Sequence, residues 1–174
     1  MHVLSFLGTG SYKTTIYEFP EPVKTQYFIE ALTANLDPPP TKITVFVTRE
    51  SEVMHFPLVL EKLRTNGFKD SQVQKIKIPA GQTVDELWEI FNQVISAVDV
   101  GEEIVFDITH SLRFLPVITF LTLIYLRSVK DIKINELYYG AYTQERLDNT
   151  PVFRLSGFLD IFDWLEGADS FIKY

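Results

Sequence analysis

The segment VFDITHSLRF, residues 105–114, places polar side chains between two apolar runs. The run before it, EEIVFDI (102–108), predicts a buried strand, and the run after it, FLPVITFLTLIYL (114–126), predicts a buried helix. Between them stand an acid, two hydroxyls, an imidazole and a guanidinium: Asp107, Thr109, Ser111, His110 and Arg113. A strand that passes directly into a helix favours an α/β unit, with this polar turn at the carboxyl end of the strand.

Strands and helices alternate along the rest of the chain as well. Strands are predicted at 2–8, 42–48, 73–79, 102–108 and 133–142, and a later one at 152–155, and several of them are nearly all-apolar. Helices are predicted up to residue 36, then at 52–67, 83–98, 114–129 and 157–174. Residues 12–28 predict a hairpin after the first strand. Strands that are apolar on both faces indicate a Rossmann-like α/β fold: a mostly parallel sheet flanked by helices.

The composition bounds the class of protein. The chain has 174 residues, of which 46% are hydrophobic, and we expect one globular domain. Its net charge of −7 makes a duplex-DNA partner an unattractive hypothesis. The absence of cysteine excludes disulfides and thiolate chemistry and fits a cytoplasmic protein. We find no signal-peptide pattern, and the longest apolar run is shorter than the roughly 20 residues of a membrane span.

Three predicted strands end in polar segments: GTGSYK (8–13), TRES (48–51) and DITHSLR (107–113). Parallel strands bring their carboxyl ends to one edge of the sheet, where α/β proteins bind ligands. We therefore expect these segments to form one site. Gly8 and Gly10 permit a tight turn, but Lys13 stands where a dinucleotide fingerprint has its third glycine.

The second polar segment has a structural interpretation beside the functional one. Ser51 is a fair N-cap for the next helix, and acidic residues suit a first helical turn. This interpretation does not explain Arg49, which would be free to meet an anion.

The third polar segment also has a structural interpretation that explains most of its residues but not all of them. Asp107 would accept hydrogen bonds from loop amides, and Thr109 or Ser111 would cap the helix. His110 would be a polar residue satisfied near the core. Arg113 fits poorly, since a cation in a first helical turn opposes the helix dipole unless an anion, from Asp107 or from a ligand phosphate, lies beside it.

Three other kinds of site are disfavoured. Asp107, His110 and Ser111 are the residue types of a hydrolase triad, but two are adjacent and no G-x-S-x-G elbow exists. The other histidines, His2 and His55, stand in ordinary contexts, so no metal site is predicted. The glycine pattern of a nicotinamide enzyme is missing, and no cofactor is expected.

The third segment resembles the Asp-x-Thr-His-Gly-x-Arg signature of CRISPR-associated Rossmann-fold (CARF) domain proteins through Asp107, Thr109, His110 and Arg113. Ser111 stands where the signature has glycine, and its hydroxyl would cap the helix or donate to a phosphate. Three more segments resemble the same subgroup, so that the resemblance covers the whole chain in order: LSFLGTGSY (4–12), YYGAY (138–142) and PVFRLSGFLDIFDWLEGADSF (151–171).

The resemblance implies a homodimeric sensor of type III CRISPR defence. Its ligand would be cyclic oligoadenylate, a ring of four or six adenylates that lies across the dimer two-fold axis. Matching positions imply two binding loops, formed by Gly8, Thr9, Gly10, Ser11 and Tyr12, and by Thr109, His110, Ser111, Leu112 and Arg113. Asp107 belongs to the signature, while Thr48 and Arg49 are added because they follow a neighbouring strand end.

Three functions remain open from the sequence. The first is a binding module, a single sensor domain over residues 1–174 whose effector is fused elsewhere or separate. The second is a metal-independent ring nuclease in which the ribose 2′-hydroxyl attacks the adjacent phosphate, with Thr9, Ser11, His110 and Arg113 as candidates. The third is a nucleotide-binding Rossmann-like domain outside CRISPR. The apolar helix 114–126 would lie in the dimer interface or form a central core helix.

Overall fold

The strands and helices of the computed structural model, which describes residues 1–143, 148–162, 164 and 167–168, alternate as the sequence predicts. The strands are β1 (His2–Leu7), β2 (Thr15–Glu18), β3 (Val23–Thr25), β4 (Lys42–Val47), β5 (Val73–Lys77), β6 (Glu103–Asp107), β7 (Lys133–Gly140) and β8 (Asn149–Arg154). The helices are α1 (Phe28–Asn35), α2 (Arg49–Met54), α3 (Phe56–Thr65), α4 (Val84–Ala97) and α5 (Leu115–Lys130), followed by a helical stretch at 160–162.

All eight strands form one sheet in the order β3-β2-β8-β7-β6-β1-β4-β5. β1 pairs in parallel with β4 on one side and with β6 on the other. The pairs β4/β5, β6/β7 and β2/β8 are also parallel, whereas β7/β8 and β2/β3 are antiparallel. The predicted mostly parallel sheet is thereby confirmed. Because β6, β1 and β4 are neighbours, their three carboxyl ends lie side by side at one edge.

Helices cover both faces of this sheet, because successive strand residues point to opposite sides. Leu4 and Phe6 of β1 pack into the core beneath α4 and α5. Val3 and Leu7 of the same strand pack into the core beneath α1 and α3. The near-continuous apolar character of the strands is thus explained by burial on both faces.

Capping signals in the sequence locate several helix ends. Thr83 caps α4, since its Oγ1 accepts a hydrogen bond from the Glu86 amide at 3.2 Å. The Glu86 carboxylate accepts from the Gln82 amide instead of closing the capping box. Gly67 follows the C-cap of α3 with a φ of 91°, which is the conformation that favours glycine at this position.

The helix predicted at 52–67 is instead two helices, and its predicted N-cap is wrong. Thr48, not Ser51, is the N-cap of α2: its Oγ1 accepts from the Ser51 amide at 3.2 Å, and Ser51 Oγ accepts from the Thr48 amide at 2.9 Å. The two side chains therefore cap each other reciprocally. The helix then breaks at His55, because Pro57 lacks an amide proton and begins a new first turn.

The helix after the third polar segment begins later than the capping hypothesis requires. α5 starts at Leu115 without a side-chain cap, so neither Thr109 nor Ser111 caps it. Pro116 lies in its first turn, where proline is favoured, and is the sequence signal for this start. Arg113 consequently lies in an exposed turn before the helix and not within its first turn.

α5 is a core helix on one side and apolar and exposed on the other. Leu115, Leu123 and Leu126 are buried, whereas Leu121 and Tyr125 are exposed. Within the described residues, no helix is long and apolar enough to cross a membrane. The described residues cover only part of three predicted features: the loop at 143–151, the helix at 157–174 and the CARF-like segment at 151–171.

Candidate functional site

The first and third polar segments contact each other at the carboxyl edge of the sheet. The Gly8 amide donates to the His110 carbonyl at 2.8 Å, and the Tyr12 hydroxyl lies 3.4 Å from the same oxygen. A Cβ atom at Gly8 would lie 2.9 Å from that carbonyl, which is too close for a side chain. Glycine is therefore required at this position because the backbone of the neighbouring turn approaches it closely.

A cavity of about 180 Å³ opens beside this contact. Its lining combines tyrosine rings, hydroxyls, one lysine and one imidazole: Ser11, Tyr12, Lys13, Tyr17, Thr109, His110, Tyr139, Gly140 and Tyr142. We call this cavity the edge cavity. Gly140 joins it to the third segment, because its amide donates to Thr109 Oγ1 at 2.8 Å.

Lys13, Tyr139 and Tyr142 are lining residues that our sequence reasoning did not assign to the site. They come from two places, the loop after β1 and the carboxyl end of β7. The second place was within reach of the sequence: β7 is parallel to β6, so the YYGAY segment ends at the same edge.

Asp107 is the structural acid of the third segment. It is fully buried and accepts hydrogen bonds from Ser5 Oγ at 2.7 Å and from the Thr109 amide at 2.8 Å. Burial raises the pKa of its carboxyl from 3.8 to about 6, while those hydrogen bonds act in the opposite direction. Asp107 therefore shapes the turn that carries Thr109, and it does not pair with Arg113.

His110 is held from within the protein. Its Nε2 accepts a hydrogen bond from the Phe28 amide at 3.2 Å, and the side chain is 9% exposed. Burial lowers the pKa of its imidazole from 6.5 to about 3, and the nearby His55 adds to this effect. The ring is therefore neutral at physiological pH, with one nitrogen already occupied.

Several hydrogen-bonding groups of the predicted site serve local structure. The Thr48 hydroxyl caps α2, and Thr48 is buried. The Ser111 hydroxyl donates to the Ile108 carbonyl at 2.7 Å, and the Ser111 amide donates to the same oxygen at 3.3 Å. The Thr109 amide is bonded to Asp107. The Thr109 and Ser111 amides and the Ser111 hydroxyl are therefore bonded within the turn that precedes α5, which begins at Leu115.

Three cations at the carboxyl edge lack the carboxylate partners that most other cations in the described part of the chain have. Lys13, Arg49 and Arg113 are exposed, and no described carboxylate forms an ion pair with them. Elsewhere on the surface, by contrast, Arg64 pairs with Asp70 at 2.6 Å. Three positive charges without a protein counter-ion are suited to an anionic ligand.

Three more of the predicted residues, Thr9, Thr48 and Leu112, line a second cavity. This cavity has a volume of about 330 Å³ and is lined by Thr9, Thr48, Glu50, Met54, Ala80, Gln82 and Leu112. Gly10 and Ser11 are exposed in the loop between the two cavities. Seven of the predicted residues thus line one cavity or the other, whereas six line neither: Gly8, Gly10, Arg49, Asp107, Ser111 and Arg113.

An apolar groove of about 410 Å³ lies on the outer side of α4 and α5. Its lining is almost entirely hydrophobic: Val84, Leu87, Trp88, Phe91, Ile118, Leu121 and Tyr125. Trp88 is 60% exposed and Leu121 is 53% exposed. Exposed apolar clusters of this kind mark interaction surfaces.

Comparison with known proteins gives one informative relative. The chain is 35% identical over 119 residues to CRISPR-associated protein MJ1674 of Methanocaldococcus jannaschii. The matched region is 66% of this chain and 18% of that protein, so the chain spans less than a fifth of the length of its relative. No family model matches the chain. The chain is therefore similar to one part of a much longer CRISPR-associated protein.

Proposed function

We propose that this chain acts in CRISPR defence as a sensor domain that binds cyclic oligoadenylate at the carboxyl edge of its sheet. The observation that carries the proposal is the aromatic-lined edge cavity with Lys13 in its lining. Two further exposed cations, Arg49 and Arg113, belong to the polar segments that follow β4 and β6, and no described carboxylate pairs with them. Phosphates of the ring would meet these cations, and adenine bases would stack on the rings of Tyr139 and Tyr142.

Two similarities support a CRISPR-related role for this chain. The relative with 35% identity is named as CRISPR-associated. The residues that resemble the CARF signature lie at the same sheet edge as the cavity, which is where a ligand of an α/β sheet binds. A type III system and cyclic oligoadenylate are inferences from that resemblance.

We further propose that the sensor is a homodimer and that a second copy covers the groove between α4 and α5. A monomer would leave Trp88, Val117 and Leu121 exposed together on that face. An identical partner buries the same patch twice through a two-fold axis. Because α5 begins beside the third polar segment, this dimer would bring two carboxyl edges toward one ring.

Binding is favoured over acid–base cleavage by the surroundings of His110. A neutral imidazole with a pKa of about 3 and an occupied Nε2 is a poor proton carrier at neutral pH. Metal-independent opening of the ring would then rest on positioning of the 2′-hydroxyl by exposed groups such as Ser11 and Arg113. A titration with cyclic oligoadenylate, followed by analysis of the recovered ligand, distinguishes binding from cleavage.

The test is to titrate the protein with cyclic tetra-adenylate and cyclic hexa-adenylate in a calorimeter. Linear tetra-adenylate serves as the ligand control, and chromatography of the recovered ligand over hours detects linearisation. We expect one ring to bind more tightly than the linear form and to be recovered intact. Absence of binding of both rings would refute the sensor proposal. Recovery of linearised product would show that the protein is a ring nuclease and not only a binding module. Tight binding of mononucleotides alone would indicate a nucleotide-binding domain outside CRISPR.

A matched pair of arginine variants tests the site itself. Arg113→Ala removes an unpaired cation of the edge, whereas Arg64→Ala removes an exposed arginine paired with Asp70 at the end of α3. Only the first is expected to weaken binding, because Arg113 belongs to the polar segment at the carboxyl edge, whereas Arg64 lies in α3 and its charge is already paired with Asp70. Equal effects of the two substitutions would mean that general surface charge, and not this edge, attracts the ligand.

A further inference from the structure

Four aromatic rings form a cluster at the loop between β1 and β2, residues 8–14. Tyr12 belongs to the loop, and its ring contacts those of Tyr27, His55 and His110. The ring of Tyr12 lies 4.0 Å from the His110 ring and 4.7 Å from the His55 ring, measured between centroids. Tyr27 approaches Tyr12 edge-on at 5.9 Å. Tyr12 is therefore held between two imidazoles that come from distant parts of the chain.

The two imidazoles are bonded differently. His110 is fixed, since its Nε2 accepts from the Phe28 amide at 3.2 Å. His55 lies where α2 ends and α3 begins, is 9% exposed, and shares one hydrogen bond, between its Nδ1 and the Tyr27 hydroxyl at 3.1 Å. Among the described residues, no group forms a hydrogen bond with His55 Nε2. A buried polar atom without a partner weakens the arrangement that contains it.

We propose that His55 is a positioning residue for the ligand site: as a neutral ring it holds Tyr12 and the loop 8–14 against His110, and on protonation it releases them. His55 acts through Tyr12, which lines the edge cavity. The effect on ligand rests on the proposed function above, whereas the effect on the loop is a property of the free protein.

The direction of the pH effect follows from burial. Burial lowers the pKa of His55 below its ordinary 6.5. The backbone of Gly10, a residue of the same loop, favours the protonated ring and is the smaller cause, because no group meets His55 Nε2 in hydrogen-bonding geometry among the described residues. A lowered pKa in the docked state means that docking is fully favoured above pH 6.5 and is lost as the pH falls below it. Acidification therefore shifts the loop from the docked state to the released state.

The other titratable groups of the cluster do not produce this behaviour. Burial raises the pKa values of Tyr12 and Tyr27, so both stay neutral from pH 5 to 8. His110 has a pKa of about 3 and stays neutral in the same range. Asp107, whose charge raises the pKa of Tyr12, has a raised pKa of about 6 and therefore favours the folded state on acidification. Asp107 thus acts in the opposite direction to His55.

Hydrogen exchange of the Gly8 amide measures release of the loop in the free protein. This amide is bonded to the His110 carbonyl at 2.8 Å and exchanges when the loop leaves that turn. After correction for intrinsic exchange, we expect loop opening to increase by up to about tenfold from pH 7.5 to 5.5, the factor set by a released histidine with an ordinary pKa. His55→Phe keeps a ring beside Tyr12 without a titratable nitrogen, so its opening should be independent of pH.

Control variants separate positioning from a general loss of fold. His55→Ala removes the ring and should open the loop at every pH, while thermal denaturation checks global stability. Tyr27→Phe removes the hydroxyl that bonds Nδ1 and should increase opening at pH 7.5 but leave its pH dependence in place. Equal pH dependence in the wild type and in His55→Phe would overturn the proposal.

An NMR titration of the wild type provides a measurement that needs no variant. The His55 ring signal and the Ser11 amide signal should change with the same midpoint, below pH 6.5, and different midpoints would also overturn the proposal. In the ligand arm, affinity for cyclic oligoadenylate should fall on acidification in the wild type and less in His55→Phe. If no cyclic oligoadenylate binds at any pH, only the proposed function is refuted, because the exchange and NMR measurements concern the free protein.

Discussion

Replacement of Asp107 by asparagine is expected to stabilise this protein at alkaline pH and to make no difference in acid. The carboxyl is fully buried, and it accepts hydrogen bonds from two neutral donors, Ser5 Oγ and the Thr109 amide. Asparagine has the same shape, keeps an oxygen for the Thr109 amide, and carries no charge to bury. The substitution therefore imitates the protonated form of Asp107.

The magnitude follows from the raised pKa. A shift from 3.8 to about 6 corresponds to about 3 kcal/mol at 1.36 kcal/mol per pH unit. Because the pKa is raised in the folded state, the protonated acid contributes stability below pH 3.8, and that stability is lost as the pH rises through about 6. At pH 8 we expect Asp107→Asn to exceed the wild type by about 1–3 kcal/mol in free energy of unfolding.

Urea denaturation of both proteins at each pH unit from 4 to 8 measures this difference. His110 weakens the folded state in acid, but it is present in both proteins and cancels from the comparison. Asp70→Asn is the control: its exposed carboxyl has a pKa lowered by Arg64, so the effect should have the opposite sign. A variant that is less stable than the wild type at pH 8, or a difference that does not change between pH 4 and 8, would refute the reasoning.

Three further predictions concern the ligand edge, the loop beside it and the dimer. Arg113→Ala should weaken binding of the preferred cyclic oligoadenylate at least tenfold, about 1.4 kcal/mol by calorimetry, and unchanged affinity would remove this residue from the site. Gly81→Ala should lower the melting temperature more than Gly101→Ala: their φ angles are 72° and 74°, but only the first Cβ would clash with the Phe114 ring. Equal losses would contradict the clash. Leu121→Asp should convert the proposed dimer into a folded monomer in light scattering, and an unchanged dimer mass would mean that this groove is not the interface.

The fold was largely predictable because it depends on local pattern. All-apolar runs of strand length, broken by prolines and glycines and alternating with helical periodicity, indicate a parallel sheet covered on both faces. The polar ends of β1, β4 and β6 meet because parallel neighbours share an edge, and the structure confirms this arrangement. The corrections concern helix ends, where Thr48 competes with Ser51 as the cap, and such choices depend on a few hydrogen bonds.

The roles of individual polar residues were less predictable. The sequence offers Asp107 both as a ligand group and as a partner for Arg113, but burial at a strand end commits it to Ser5 and Thr109. His55 read as an ordinary helix residue. It becomes part of the candidate site only because the break before Pro57 turns it toward Tyr12, a residue 43 positions earlier in the chain.

The sequence by itself therefore determined the α/β architecture, the edge at which the polar segments converge and the resemblance to CARF proteins. These features follow from periodicity, turn chemistry and the direction of parallel strands, all of which are local or nearly local. Only the tertiary structure decided which groups at that edge remain available. Packing buried Asp107 and His110, bonded the amides of Thr109 and Ser111 internally, and left Arg113 without a partner among the described residues, since burial and hydrogen-bond partners depend on segments far apart in the chain.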